Sequence, residues 1–144
     1  MPVVDASVIV AFLAPVADDH AQARAMLEHW AATGAELAAP RLMWEEALDA
    51  LLSGTRRGHW SGEDADAAAA RLLRVPVTPL DGESDRARAW ELARRYDNWP
   101  VHDMVYVALA ERLGEQFVTA DEKLARRLEH LGWVLGWAAA APRA

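Results

Sequence analysis

Residues 117–124 read Phe-Val-Thr-Ala-Asp-Glu-Lys-Leu, and residues 3–13 read Val-Val-Asp-Ala-Ser-Val-Ile-Val-Ala-Phe-Leu. Each begins with apolar residues that suit a short buried strand, reaches an aspartate, and continues with helical spacing. For 117–124 a local account exists. Thr119 and Glu122 stand three apart, the capping-box pattern, and Asp121 is an acid near the positive end of the helix dipole. A second strand–acid–helix junction at Asp5 asks for more than capping. In a parallel α/β sheet the carboxyl ends of the strands form the binding edge, so both aspartates are expected at one crevice.

The rest of the chain alternates in the same way. Residues 18–33 have helical composition, with Asp18 or Asp19 as starting acids and Gly34 as the stop, and 35–40 give a short strand ending at Pro40. Residues 41–58 are a strongly periodic helix with Leu42, Ala47, Leu48, Leu51 and Leu52 on or near one face, and a serine-capped helix starts at Ser61. The two prolines of 75–80 suggest an irregular or edge strand. Helices are expected over 82–96 and 102–113, a strand over 115–119, a helix over 120–132 and a last strand over 133–137. Short apolar strands between long helices predict an α/β fold: a three-layer α/β/α arrangement with a central parallel sheet. One domain over 1–137 is expected, with an alanine-rich tail over 138–144.

Composition narrows the function classes. The chain has 144 residues, 53% hydrophobic and 26% charged, a globular balance. It contains no cysteine, which excludes disulfides, thiol nucleophiles and cysteine-ligated metals and is compatible with the cytoplasm. The apolar start carries Asp5 and lacks a basic leader region, so it reads as core. A net charge of −7 argues against coating nucleic acid by bulk electrostatics, yet the bases are clustered, so a local nucleic-acid site is not excluded.

Two further acids join Asp5 and Asp121. Asp103 opens the largely apolar helix of 103–111, and Glu46 interrupts the apolar side of the 41–58 helix with Asp49 on its face three residues on. Carboxylates gathered beside apolar core need a counter-charge. No basic residue is interleaved with these four. Magnesium or manganese, hard cations that take carboxylate oxygens and waters, is the remaining answer, and such a site suits phosphodiester chemistry.

On the segments Val3–Leu13, 39–52, 101–114 and 117–128, in this order and spacing, the sequence resembles a PIN-domain ribonuclease, specifically the VapC-type toxins of type II toxin–antitoxin pairs. The resemblance puts the family's catalytic and metal-binding acids on Asp5, Glu46, Asp103 and Asp121. Glu46 is preferred to Glu45 because it stands six residues after Pro40, with a small polar residue, Asp49, three positions later. Ser7 and Thr119 are implied as polar support. The resemblance also implies Mg2+ or Mn2+ and hydrolysis of single-stranded or loop RNA by a metal-activated water, leaving a 5′-phosphate and a 3′-hydroxyl. A homodimer and a small antitoxin that lays a segment near the acids are implied as partners; the charge of −7 suits a basic segment. Two positions depart from the family: Asp49 where asparagine is common, and His102 where tyrosine usually stands, with His102 expected to pack.

Arg56, Arg57, Lys123 and Arg126 are the cations expected to track an RNA backbone. The other enzyme reading, a different magnesium-dependent phosphohydrolase, is disfavoured because Ser7 stands where a haloacid-dehalogenase-like enzyme needs its second aspartate, and no P-loop is present. The non-enzyme reading is a catalytically inactive PIN-like interaction module, for which the 7 tryptophans speak. Of these, Trp30, Trp44, Trp90 and Trp133 are expected to pack. Trp60 and Trp99, in polar turns, are expected at an interface or under a stacked base.

Overall fold

Strands of two or three residues suffice here because each lies in a ladder covered by helices. In the computed structural model, which describes residues 1–14 and 19–136, the strands are β1 (Val3–Val4), β2 (Leu37–Ala39), β3 (Val77–Pro79), β4 (Phe117–Val118) and β5 (Val134–Leu135). All pair in parallel in the order β3-β2-β1-β4-β5, with Val3 opposite Ala38 on one side and Phe117 on the other. β1, β2 and β4 are buried throughout and wholly apolar, as a sheet covered on both faces requires. β3 closes one edge, where Pro79 costs no ladder bond.

Parallel neighbours need crossovers. Helices α1 (Ala6–Leu13) and α2 (His20–Thr33) join β1 to β2, and α3 (Leu42–Arg56) and α4 (Gly62–Leu72) join β2 to β3. The chain then returns through α5 (Glu83–Arg95) and α6 (Val101–Leu113) to β4, on the far side of β1, and α7 (Glu122–Arg127) with a short 3-10 turn leads to β5. Right-handed crossovers set α1–α4 on one face and α5–α7 on the other, the three expected layers. The direction of winding reverses between β1 and β4, so a crevice opens at their carboxyl ends.

Local signals explain the ends of several elements. Gly34 ends α2 in the left-handed region (φ 71°), and Ser61 caps α4 by accepting from Asp64 N. The turn between α5 and α6 holds Asp97 and Asn98 at φ 58° and 60°, which short polar side chains tolerate better than others. Trp137 and the alanine-rich tail lie outside the described residues, as does Asp18.

Of the α3 residues expected at the core, Leu42, Ala47, Leu48 and Leu51 pack there and Leu52 does not. Met43, Ala47, Leu51 and Gly54 are buried, whereas Leu52 is 55% exposed. Leu52 is one residue, about 100° of helix, past Leu51 and cannot share its stripe. Trp60 is also not an interface residue: its ring lies over Gly54 and its Nε1 donates to Leu51 O at 2.9 Å, tying the end of α3 to the following loop. On the opposite face α5 and α6 form an antiparallel hairpin clamped at one end. Arg112 donates to buried Asp85 through Nε (2.7 Å) and one terminal nitrogen (3.0 Å), and Arg88 donates to both oxygens of Glu111. Among the described residues no helix is long and apolar enough to cross a membrane.

A methyl group at Gly54 would collide with the Trp60 ring, whereas one at Gly62 would meet nothing within 4 Å. Gly54→Ala should therefore destabilise the protein by about 1–3 kcal/mol in urea denaturation. Gly62→Ala serves as the control and should stay within about 0.5 kcal/mol of the parent.

Candidate metal centre

Asp5 follows β1 directly and is 8% exposed. Its Oδ2 accepts a 2.6 Å hydrogen bond from the hydroxyl of Thr119, which follows β4, the strand paired with β1. The same hydroxyl oxygen accepts from Asp121 N at 3.0 Å, while Ser7 Oγ accepts from Ala120 N at 3.1 Å. Ser7 and Thr119 thus knit the two strand ends across the crevice. Thr119 is not the helix cap. Asp121 caps α7, its Oδ1 accepting from Lys123 N and Leu124 N, because the Thr119 hydroxyl is turned inward to Asp5.

Glu46 and Asp103 enter from α3 and α6. Tyr106, buried in α6 and stacked on Phe117, donates its hydroxyl to Glu46 Oε1 at 2.6 Å. Trp99, in the turn before α6, donates Nε1 to Asp103 Oδ2 at 2.8 Å. Trp99 is therefore no free stacking surface; its polar end holds an acid. Each of Asp5, Glu46 and Asp103 is held by a neutral donor, which orients the carboxylate without cancelling its charge. Among the described residues none of the four acids pairs with a lysine or arginine.

The electrostatics follow from that arrangement. Burial raises the pKa of Asp5 above the ordinary carboxylate range, Thr119 opposes the rise, and the charge of Asp103 adds to it. Glu46 is raised by burial, opposed by Tyr106, and raised further by Asp5 and Asp103. Asp103 is raised by burial and, more weakly, by Asp121, with Trp99 opposing. Burial and the adjacent carboxylates Asp5 and Glu46 also push the Tyr106 hydroxyl far up, so it stays a donor. Asp103 thus acts on Asp5 and Glu46, Asp5 on Glu46, and Asp121 on Asp103 alone.

His102 does not pack. Its ring is 56% exposed, with Nε2 3.5 Å from Asp103 Oδ1 and 3.8 Å from Glu46 Oε2. Ligand atoms of Glu46, His102 and Asp103 lie within 4.8 Å of one another, a set able to hold a metal ion. Carboxylate oxygens suit Mg2+ or Mn2+, and the absence of a paired base leaves their charge for a cation. Asp49 is exposed and makes no hydrogen bond or ion pair among the described residues. Lys123 and Arg126 lie on α7 close after Asp121, Arg126 facing Glu122 at 3.9 Å. Arg56 and Arg57 end α3, ten residues and about 15 Å of helix beyond Glu46. Tyr106 escaped the sequence reading, and Trp99 holds an acid where a stacking surface was expected. Their signals were a lone phenol in an aliphatic helix and an indole four residues before an acid, each needing a polar partner once buried.

The PIN domain family model matches residues 3–129. Ribonuclease VapC3 of Mycobacterium tuberculosis, in strains CDC 1551 / Oshkosh and ATCC 25618 / H37Rv, is 39% identical over 124 residues, 86% of this chain and 85% of its own. The chain belongs to the PIN-domain family, among its VapC-type ribonucleases. In structure it resembles Mycobacterium tuberculosis VapC20, a sarcin-ricin loop cleaving toxin, with a TM-score of 0.60 and 22% identity, covering 83% of this chain and 88% of that one. At that identity the likeness bears on the fold, and it agrees with the parallel five-stranded sheet.

Raised carboxylate pKa values make the metal-free folded state bind more protons than the unfolded chain between the ordinary pKa and the raised one. Stability from this source is present at low pH and lost as pH rises through that window. Metal-free Asp103→Asn should accordingly melt a few degrees above wild type at neutral pH, with the gap closing toward about pH 4. Paired melting curves across pH check the sign; a variant less stable at neutral pH than at pH 4, relative to wild type, contradicts it.

Proposed function

We propose that this PIN-domain ribonuclease is the toxin of a toxin–antitoxin pair and an Mg2+- or Mn2+-dependent endoribonuclease, with Asp5, Glu46, Asp103 and Asp121 as its catalytic acids. One observation supports the reading: Asp5, Glu46 and Asp103, buried or half-buried, are each oriented by a neutral donor, and among the described residues none of them pairs with a lysine or arginine. A protein that needed these acids only as caps would not leave three charges facing one another.

A bound divalent ion would neutralise the phosphate's charge and acidify a water. Asp5, Glu46, Asp103 and Asp121 would hold it, with His102 beside Glu46 and Asp103. Thr119, Tyr106 and Trp99 keep the acids aimed against their mutual repulsion, so little reorganisation is needed as an RNA strand enters. Hydrolysis breaks the bond from phosphorus to the 3′-oxygen, forms one to the water oxygen, and returns a proton to the 3′-oxygen. The Lys123 and Arg126 side chains of α7 stand on the Asp121 side for backbone phosphates.

A homodimer and a small antitoxin complete the reading. An arginine from the antitoxin would satisfy the same carboxylates that otherwise take the ion, which accounts for inhibition by simple competition of charge. One domain over 1–137, acting in the cytoplasm, is sufficient for this activity.

The test is expression without the antitoxin, with RNA ends mapped in wild type and in Asp103→Asn. Wild type should generate new 5′-phosphate ends and arrest growth, and the variant should do neither. Equal toxicity of the two removes the acid assignment, and inactivity of both favours the interaction-module reading. With purified protein, Thr119→Val should weaken Mn2+ binding by about 10–100-fold, as loss of a group that orients a ligand does. His102→Phe should narrow the preference for Mn2+ over Mg2+, because an imidazole nitrogen favours the softer ion. Calorimetry with each metal reads both effects.

A further inference from the structure

Arg86, Trp90 and Arg94 stand four residues apart on α5 and form one line along a flank of the helix, about 6 Å per step. Trp90 was expected to pack, yet it is 65% exposed, the most exposed aromatic among the large apolar residues. Arg86 and Arg94 are exposed, and neither forms an ion pair among the described residues; Arg94 donates only to the neutral Asn98 Oδ1 at 2.6 Å. The other flank differs. There Arg88 is held by Glu91 and Glu111.

Two depressions adjoin the line. One, of about 310 Å³, is lined by Arg86 together with Arg41, Leu42 and Val105, and by Asp81 and Asp85, whose charges are paired with Arg41 and Arg112. The other, of about 300 Å³, is lined by Trp90 and Arg94 with Trp99 and Val101. Trp99, which lines the second depression, donates its Nε1 to Asp103 Oδ2, so the Trp90–Arg94 end of the line adjoins the metal centre.

We propose that Arg86–Trp90–Arg94 is the track on which single-stranded RNA lies as it enters the centre, one base stacked on Trp90 and the flanking phosphates against the two guanidiniums. The inference rests on the ribonuclease reading above and names its substrate surface. Cation, aromatic, cation matches the alternation of phosphate and base along a strand, the pairing that single-strand binders use. A second copy of the chain fits less well. A two-fold contact lays the same patch against itself, and no carboxylate stands on this line between the arginines to receive them. In a chain of net charge −7, unpaired arginines aligned beside an acidic centre are what lets a polyanion approach.

The experiment measures a fluorescein-labelled 12-nucleotide unstructured RNA by anisotropy, on the full chain with Asp5→Asn to prevent cleavage, over a salt series. Trp90→Ala should weaken binding about 5- to 150-fold with the salt slope unchanged, and Trp90→Phe should restore most of it. Arg86→Gln and Arg94→Gln should each lower the salt slope by about 0.7, whereas Arg74→Gln, at an exposed position just past the end of α4, leaves it alone. In the cleaving background, hydrolysis of bis(p-nitrophenyl) phosphate, too small to span the line, should stay at wild-type rate in all three variants. If wild type cleaves RNA while affinity and salt slope do not change in the variants, the track is wrong and the ribonuclease reading stands. If wild type neither binds nor cleaves RNA, both fall. A dimer by light scattering that Trp90→Ala turns into a monomer assigns the line to a second copy and overturns the track.

Discussion

The hydrogen bond from Thr119 to Asp5 joins the ends of two paired strands and, at the same stroke, leaves a carboxyl group without a counter-charge in a nearly closed place. A hydroxyl donor fixes direction but supplies no counter-charge. Tyr106 and Trp99 treat Glu46 and Asp103 in the same way. Three acids brought together under these terms repel one another, and burial raises their proton affinity further. The remainder of the molecule has to hold that repulsion in place. Most of what is distinctive in the fold can be traced to this demand.

The ion pairs show how the demand is met. Asp85, as buried as any charged group here, receives two hydrogen bonds from Arg112, and Arg88 binds Glu111 nearby. Both clamps join the start of α5 to the end of α6, away from Asp103. They keep the helix carrying Asp103 and Tyr106 from yielding without placing a positive charge near either. Paired charges therefore sit where rigidity is needed, and unpaired charges where a ligand is expected. The arrangement resembles a stretched frame more than a neutral core: stability is given up at the centre and recovered at its edges.

Tryptophan marks the same division. Trp60 covers Gly54 at the far end of α3, and Trp99 steadies Asp103, so both turn tryptophans are structural. Trp90, on a helix whose composition suggested packing, is the tryptophan left in water among the described residues. The loop position of a residue says little about its exposure when the loop folds back on a helix. The helical position says little when only one face of a two-helix hairpin is covered.

Asp5 and Asp121 were legible because each follows a short apolar strand, and in a parallel sheet such positions share an edge by topology. Glu46 and Asp103 were legible as acids inside otherwise apolar helices, and the resemblance selected Glu46 over its neighbour. The α/β class was legible for the same reason, since strand–helix alternation allows few other solutions. What the chain could not reveal in one dimension was direction. Whether Thr119 caps a helix or turns inward depends on how near β4 brings it to β1. Whether His102 packs or faces Glu46 depends on the approach of α3 to α6, sixty residues apart in sequence for the pair Glu46 and Tyr106. Local periodicity determined which residues form each strand and helix. Only tertiary packing decided which flank of each helix meets water, because that is set by the neighbour and not by the helix itself.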